Sequence, residues 1–287
     1  MEKYLDPKND LLFKKIFGNH KDLLISFLNA FLPLEAGQEV KEIEYLSPEQ
    51  VPVTQWGKYS IVDVKCTDSK GRSFIVEMQS EWSVMFRNRL LVNGSKAVVN
   101  QMNKKSLKEK AKDFSQLNPV YVLAVVDDEI TDKNKMEWYH HLKIMNPKNP
   151  EEVIKGLEFI LLELPKFKPE TWTLTDKKMA VLWLRFLREL EGYSENLLKE
   201  LASNKLMQHA VEICKESSLS PEEMEIYNKC RDEMMWQNGI KNMEKKIAED
   251  KKTINKKDKV IAQKDKSLAQ KDAEIEKLKA YIENIRK

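Results

Sequence analysis

The chain has 287 residues, 41% hydrophobic and 33% charged, enough for one sizeable core plus an appendage. Eight glycines and ten prolines exclude a collagen-like or Pro/Gly-rich disordered chain. A formal net charge of +3 is too small to argue for a nucleic-acid partner. The charge is unevenly placed. Residues Ile240 to Lys287 hold 15 Lys and Arg against 9 Asp and Glu, an excess of six, so the remainder carries −3. Three cysteines without CxxC spacing, Cys66, Cys214 and Cys230, predict reduced thiols in a cytoplasmic protein. The N-terminus lacks the apolar stretch of a signal peptide, and no apolar run approaches the roughly 20 residues of a membrane span.

In chain order, Asp6 to Leu32 reads as two helices. Asp6-Pro7 supplies a cap and a proline at the first helical position, and Gly18 is expected to stop the first helix. Asp22 to Phe31 forms the second, ended by Pro33. Strands are predicted at Val40 to Leu46, Tyr59 to Cys66 and Arg72 to Gln79, followed by a helix from Val84 to Met102. Pro119 to Val126 is a continuous apolar run, expected as a strand buried on both faces. Trp138 to Met145 and Leu157 to Leu164 are further strands. Thr173 to Trp236 is helical, with Ser220-Pro221-Glu222-Glu223 as a capped start. The order α, β, β, β, α, β predicts a mixed α/β sandwich. The tail carries Ile240, Ile247, Ile254, Ile261, Leu268, Ile275 and Ile282 at every seventh position. The partner row reads Met243, Asp250, Lys257, Lys264, Lys271, Leu278 and Ile285, apolar only at its ends. An oligomeric coiled coil and a solvated single helix both fit this pattern.

The chemistry concentrates in one hairpin. Ile61 to Cys66 and Arg72 to Gln79 alternate around Asp68-Ser69-Lys70-Gly71, which suits a three-residue loop with Gly71 in the left-handed conformation. That loop sets Asp68 opposite Arg72 and therefore Asp63 opposite Glu77. Val62, Val64 and Cys66 then meet Met78, Val76 and Phe74 on an apolar face, while Ile61, Asp63 and Lys65 meet Gln79, Glu77 and Ile75 on the other. Directly opposed carboxylates repel. A divalent cation removes the conflict and is able to activate water at a phosphodiester; charges that splay into solvent satisfy the same pattern. The four histidines suggest no zinc site by spacing: His140 and His141 are adjacent on a strand and point to opposite faces.

Asp63 followed by Glu77-Met78-Gln79 on the next strand, in an αβββαβ order, resembles the PD-(D/E)XK nuclease superfamily. With the opening helix Asn9-Asp10-Leu11-Leu12-Phe13-Lys14-Lys15-Ile16-Phe17-Gly18, the chain is similar to the recombination-promoting nuclease/putative transposase (Rpn) family over roughly residues 1–236. The resemblance implies a restriction-endonuclease-like α/β core at 1–170 with a helical extension of the same domain at 171–238, and the seven-residue period adds a heptad-repeat helix at 239–287. The resemblance also implies Mg²⁺-dependent, or Mn²⁺-dependent, endonucleolytic cleavage of DNA in recombination or transposition. Asp63 and Glu77 would hold the metal, and Gln79 would orient the attacking water at the position of the superfamily lysine. Glutamine supplies neither a cation nor a general base, so Lys65 and Lys14 are candidates for the missing charge and Asp10 for an additional ligand through water. Arg87 and Arg89 are candidate phosphate contacts, and Trp82 and Phe86 are either core or base-stacking residues. The rival reading is a degenerate nuclease fold that binds DNA or protein and self-associates through the tail.

Overall fold

The computed structural model describes residues 2–50, 60–103, 115, 117–131, 136–168 and 178–285. Tyr59 and Thr173, where two expected elements begin, lie outside them. The chain divides into two compact units, Met1–Arg231 and Asp232–Lys287.

The first unit opens with α1 (Asp10–Asn19) and α2 (Lys21–Phe31). Asp6-Pro7 does not start α1. Asp6 instead closes a local turn by accepting from the Lys8 amide at 2.9 Å, and Asn9 is the cap, its side chain accepting from the Leu11 amide at 3.1 Å. Gly18 lies inside α1, and the helix breaks two residues later, where His20 turns extended (φ −120°, ψ 98°). Leu12, Phe13, Ile16 and Phe17 of α1 and Leu23, Leu24, Phe27, Leu28 and Phe31 of α2 are buried, which is the stripe the helical spacing demands.

The sheet has six strands in the order β1-β4-β5-β6-β8-β7. These are β1 (Ile43–Tyr45), β4 (Val64–Asp68), β5 (Ser73–Gln79), β6 (Val120–Val126), β7 (Tyr139–Asn146) and β8 (Asn149–Glu163), while β2 (Glu49–Gln50) and β3 (Ser60–Ile61) pair separately. β5, β6 and β8 are parallel, and β1, β4 and β7 join antiparallel to their neighbours. The order of elements and the six-stranded sheet make this the mixed α/β architecture that the sequence predicts. In β6, Val122, Ala124 and Val126 enter one apolar cluster while Leu123 and Val125 enter the other, so the continuous apolar run is indeed buried on both faces.

The single strand expected from Tyr59 to Cys66 is two pieces. The Val62 amide donates to the Pro48 carbonyl at 3.1 Å, the chain bends at Asp63, and the ladder resumes at Val64. The bend also moves Val62. Val64, Cys66, Phe74 and Val76 share the larger cluster as expected, but Val62 packs with Ile75 in the cluster on the opposite face. β8 begins eight residues earlier than Leu157, because its first half pairs only with β7, largely exposed and without an apolar signal.

The helix α3 (Val84–Asn103) covers one face of the sheet, with Phe86, Leu90 and Ala97 buried against Val122, Ala124 and Leu161. The other face carries α1, α2, α4 (Lys178–Glu189), α5 (Glu195–Ala202) and α6 (Lys205–Ile213), centred on the fully buried Trp183. The expected helical stretch is therefore several short helices. The last helix, α7 (Pro221–Ile285), starts with the anticipated capping box: Ser220 Oγ accepts from the Glu223 amide at 3.2 Å, and Glu223 Oε2 accepts from the Ser220 amide at 3.0 Å. Among the described residues no helix is long and apolar enough to cross a membrane.

Candidate active site

The hairpin register follows from its loop. Gly71 has φ +78°, its amide donates to the Asp68 carbonyl at 2.9 Å, and the Asp68 amide donates to the Arg72 carbonyl at 3.1 Å. Pairing then runs Thr67 with Ser73, Cys66 with Phe74, Lys65 with Ile75 and Val64 with Val76. The ladder ends at the Val64–Val76 pair, and Asp63 lies in the bend just before it, so the expected Asp63–Glu77 pair is not a rung of the ladder, although the Asp63 charge still acts on Glu77. Asp68 anchors the loop, accepting from the amides of Lys70 and Arg72 and pairing with the Arg72 guanidinium at 2.7 Å.

The bend places the Asp63 carboxylate over β5 rather than in the ladder. Its Oδ2 accepts from the Met78 amide at 2.7 Å, and its Oδ1 lies 3.6 Å from Lys14 Nζ. Lys14 is held on its other side by Asp10, one helical turn earlier, at 2.7 Å. Thus α1 delivers a lysine and a third carboxylate to the hairpin. Burial raises the Asp63 pKa, and the Met78 amide and Lys14 counteract it.

Glu77 is 1% exposed and faces α3. Asn93 Nδ2 donates to its Oε1 at 2.9 Å, and Arg89 Nη2 stands 3.5 Å from its Oε2. Burial first, and the Asp63 charge second, push the Glu77 carboxyl up to about 7. Arg89 also donates to Gln79 Oε1 at 2.8 Å and stacks over Phe86 at 5.0 Å. Asn93 Oδ1, beside Glu77, is buried and accepts no hydrogen bond among the described residues.

Of the residues singled out in the sequence, the structure gathers Asp10, Lys14, Asp63, Glu77, Gln79 and Arg89. Lys65 is buried and lies on the Glu77 side of β4. Arg87 turns elsewhere: it sits over the Trp82 ring at 5.8 Å and lines a small apolar cavity with Leu142 and Phe159. Phe86 is core, 2% exposed, and Trp82 packs at the edge of the same cluster. His140 and His141 face separate carboxylates, Glu163 and Glu158. Two contributors were missed. The Met78 amide has no sequence signature. Asn93 had one, because it stands one helical turn after Arg89 on the helix that must cover β5.

The donor set fits a hard divalent cation. It offers two apposed carboxylates and a nearby third, a carboxyl whose ionisation like charge and burial oppose, and a buried acceptor that a cation's water ligand is able to satisfy. It lacks the thiolate or imidazole donors of a softer metal.

No curated protein and no solved structure matches the chain. A family model described as "PD-(D/E)XK nuclease family transposase" matches residues 7–243, from the turn before α1 into α7. That span includes every residue gathered at the hairpin, and the chain belongs to the PD-(D/E)XK nuclease family transposases.

Proposed function

We propose that the chain is a metal-dependent endodeoxyribonuclease in which Asp63 and Glu77 hold Mg²⁺ or Mn²⁺ and Gln79 positions water at the scissile phosphate. The observation that carries this reading is Glu77 itself, a buried carboxylate held against Asp63 with its pKa raised to about 7. A fold keeps such a repulsive pair at a cost, and a bound cation converts that cost into binding energy. The cation, when bound, polarises the phosphate and acidifies water.

The remaining work falls to side chains. The Met78 amide holds Asp63, and Asn93 holds Glu77. Arg89 takes the oxygen of Gln79, so the carboxamide N–H group is left to face water or a phosphate oxygen as a donor. Gln79 thus orients and does not abstract a proton. Lys14, between Asp10 and Asp63, supplies the cation that glutamine lacks. DNA is the substrate the family suggests, with recombination or transposition as its setting.

Gln79 favours a second reading, a catalytically degenerate fold that binds DNA. Supercoiled plasmid is incubated with the full chain and Mg²⁺, Mn²⁺ or EDTA, alongside Asp63→Asn and Glu77→Gln. Cleavage that requires metal and is lost in both variants supports the nuclease. Metal and DNA binding without cleavage supports the degenerate fold, and cleavage surviving in EDTA overturns the assignment of Asp63 and Glu77.

A further inference from the structure

Away from the hairpin, the structure brings together two histidines that are remote in sequence. His20 occupies the break between α1 and α2, Asp22 lies in the first turn of α2, and His209 lies in the middle of α6. One ligand atom from each lies within 4.8 Å of the others. His209 Nδ1 is 3.4 Å from Asp22 Oδ2, and the two imidazoles meet edge to face with centroids 4.6 Å apart.

We propose that His20, Asp22 and His209 form a zinc site, distinct from the carboxylate pair of the hairpin. A tetrahedral zinc with bonds of roughly 2.0–2.1 Å needs donor atoms roughly 3.3 Å apart. The His209–Asp22 pair already meets that spacing, and the His20 ligand atom lies within 4.8 Å of both. The donor chemistry separates the two sites. Two imidazoles and one carboxylate suit zinc and its borderline neighbours, whereas Mg²⁺ prefers oxygen ligands. Both imidazoles are half-buried, and zinc binds the neutral form of each. Three protein ligands leave a fourth position for water.

The ion would join segments 20–22 and 209, the start of the chain and its helical extension. α2 and α6 are already neighbours and both contribute to the main cluster, so the ion would tie together elements that already touch. A metal that binds only the folded chain adds stability in proportion to its excess over the dissociation constant.

The test uses the full chain after EDTA treatment and dialysis. Zinc is titrated by calorimetry into wild type, His209→Ala, His20→Ala and Glu77→Gln, and Co²⁺ is added in parallel for its visible absorption. In excess Mg²⁺, which fills the oxygen-ligand hairpin site of wild type, wild type and Glu77→Gln are each expected to bind one zinc per chain. His209→Ala and His20→Ala should lose at least 100-fold in affinity together with the tetrahedral cobalt spectrum. Zinc should also raise the melting temperature of wild type and leave that of His209→Ala unchanged. The His209 side chain is 41% exposed, so its truncation spares the core. Asp22→Asn, which preserves shape, checks the result independently of folding. Wild-type affinity in His209→Ala and His20→Ala, loss of zinc in Glu77→Gln, or no saturable binding below millimolar zinc each overturns the proposal. None of these outcomes bears on plasmid cleavage by the hairpin site.

Discussion

At the scale of single residues, Glu77 sets the pH behaviour of the site. Without metal the folded chain keeps this carboxyl protonated up to about 7, while its ordinary value is 4.5. The unfolded chain therefore releases the proton first as pH rises. The fold loses stability through Glu77 between about 4.5 and about 7 and gains none from it below that window. Glu77→Gln should consequently raise metal-free stability at pH 8, by on the order of 1–3 kcal/mol, and change it little at pH 4. Denaturant titration at the two pH values reads this directly. Mg²⁺ must displace the same proton. Calorimetry in buffers of different ionisation heat should find close to one proton released per metal near pH 6 and almost none at pH 8.5. Equal, negligible release at both would separate Glu77 from the cation. Arg89 is instructive beside it: a phosphate contact was expected, yet the guanidinium reaches inward to Glu77 and Gln79 at 3.5 and 2.8 Å.

At the scale of elements, the β4–β5 hairpin was the most legible part of the chain, because a turn with a demanded glycine dictates every pair behind it. The register from Thr67–Ser73 to Val64–Val76 is the one the loop requires. A one-residue slip sends Glu77 to the other face from Asp63. Deleting Lys70 should therefore abolish Mg²⁺ binding by calorimetry, and normal binding would show that the pair does not depend on this register. Gly71→Ala should keep the register but cost more than its φ of +78° alone implies. The added Cβ would stand 2.5 Å from Asn118 Nδ2, so that side chain must swing aside, for a total of about 1–2 kcal/mol. What was not legible depended on distant packing. The bend at Asp63 follows Val62, whose amide donates to the Pro48 carbonyl outside the hairpin, and the outer half of β8 pairs outside the core where no apolar period marks it. The approach of α3 to the sheet is similar. Gly94, next to Asn93, lets the helix settle where a Cβ would lie 2.7 Å from Leu157 Cδ1 and 3.1 Å from Val122 Cγ2. Gly94→Ala should gain helix propensity and still destabilise by roughly 1–3 kcal/mol through overpacking. It should weaken Mg²⁺ binding as well, by displacing Asn93. Gly18→Ala, with nothing within 4 Å, is the control and should leave stability equal or higher. If both substitutions stabilise equally, α3 does not depend on that close approach.

At the scale of the whole molecule, the tail has a character the core lacks. The family match ends at residue 243, whereas α7 continues to Ile285. Its heptad residues Ile247, Ile254, Ile261, Leu268, Ile275 and Ile282 are each about half exposed among the described residues, a row of apolar side chains along one helix. An isolated helix gains nothing from such a row, but a second copy buries it. The middle of the partner row is lysine, at 257, 264 and 271, and each is followed directly by aspartate, at 258, 265 and 272. In a parallel pair of helices, a residue at the second core position packs against the position after it on the partner, so lysine meets aspartate in three successive heptads. In an antiparallel pair the aspartates would instead flank one another. The expectation is a parallel, in-register assembly that is weaker than an all-apolar coiled coil and loosens as salt screens the lysine–aspartate pairs. Deleting residues 247–287 should lower the mass in light scattering by more than the deleted residues account for, while Mg²⁺ binding at Asp63 and Glu77 is retained. Ile261→Lys, in the middle of the array, should shift the full chain toward monomer without altering the first unit. A cysteine placed at residue 268 should crosslink to its own copy under mild oxidation if the helices run parallel and in register, since equivalent core positions then face each other. An unchanged subunit count after the deletion, with no crosslink at 268, would mean that the helix stands alone in solvent and that the apolar row awaits a different partner.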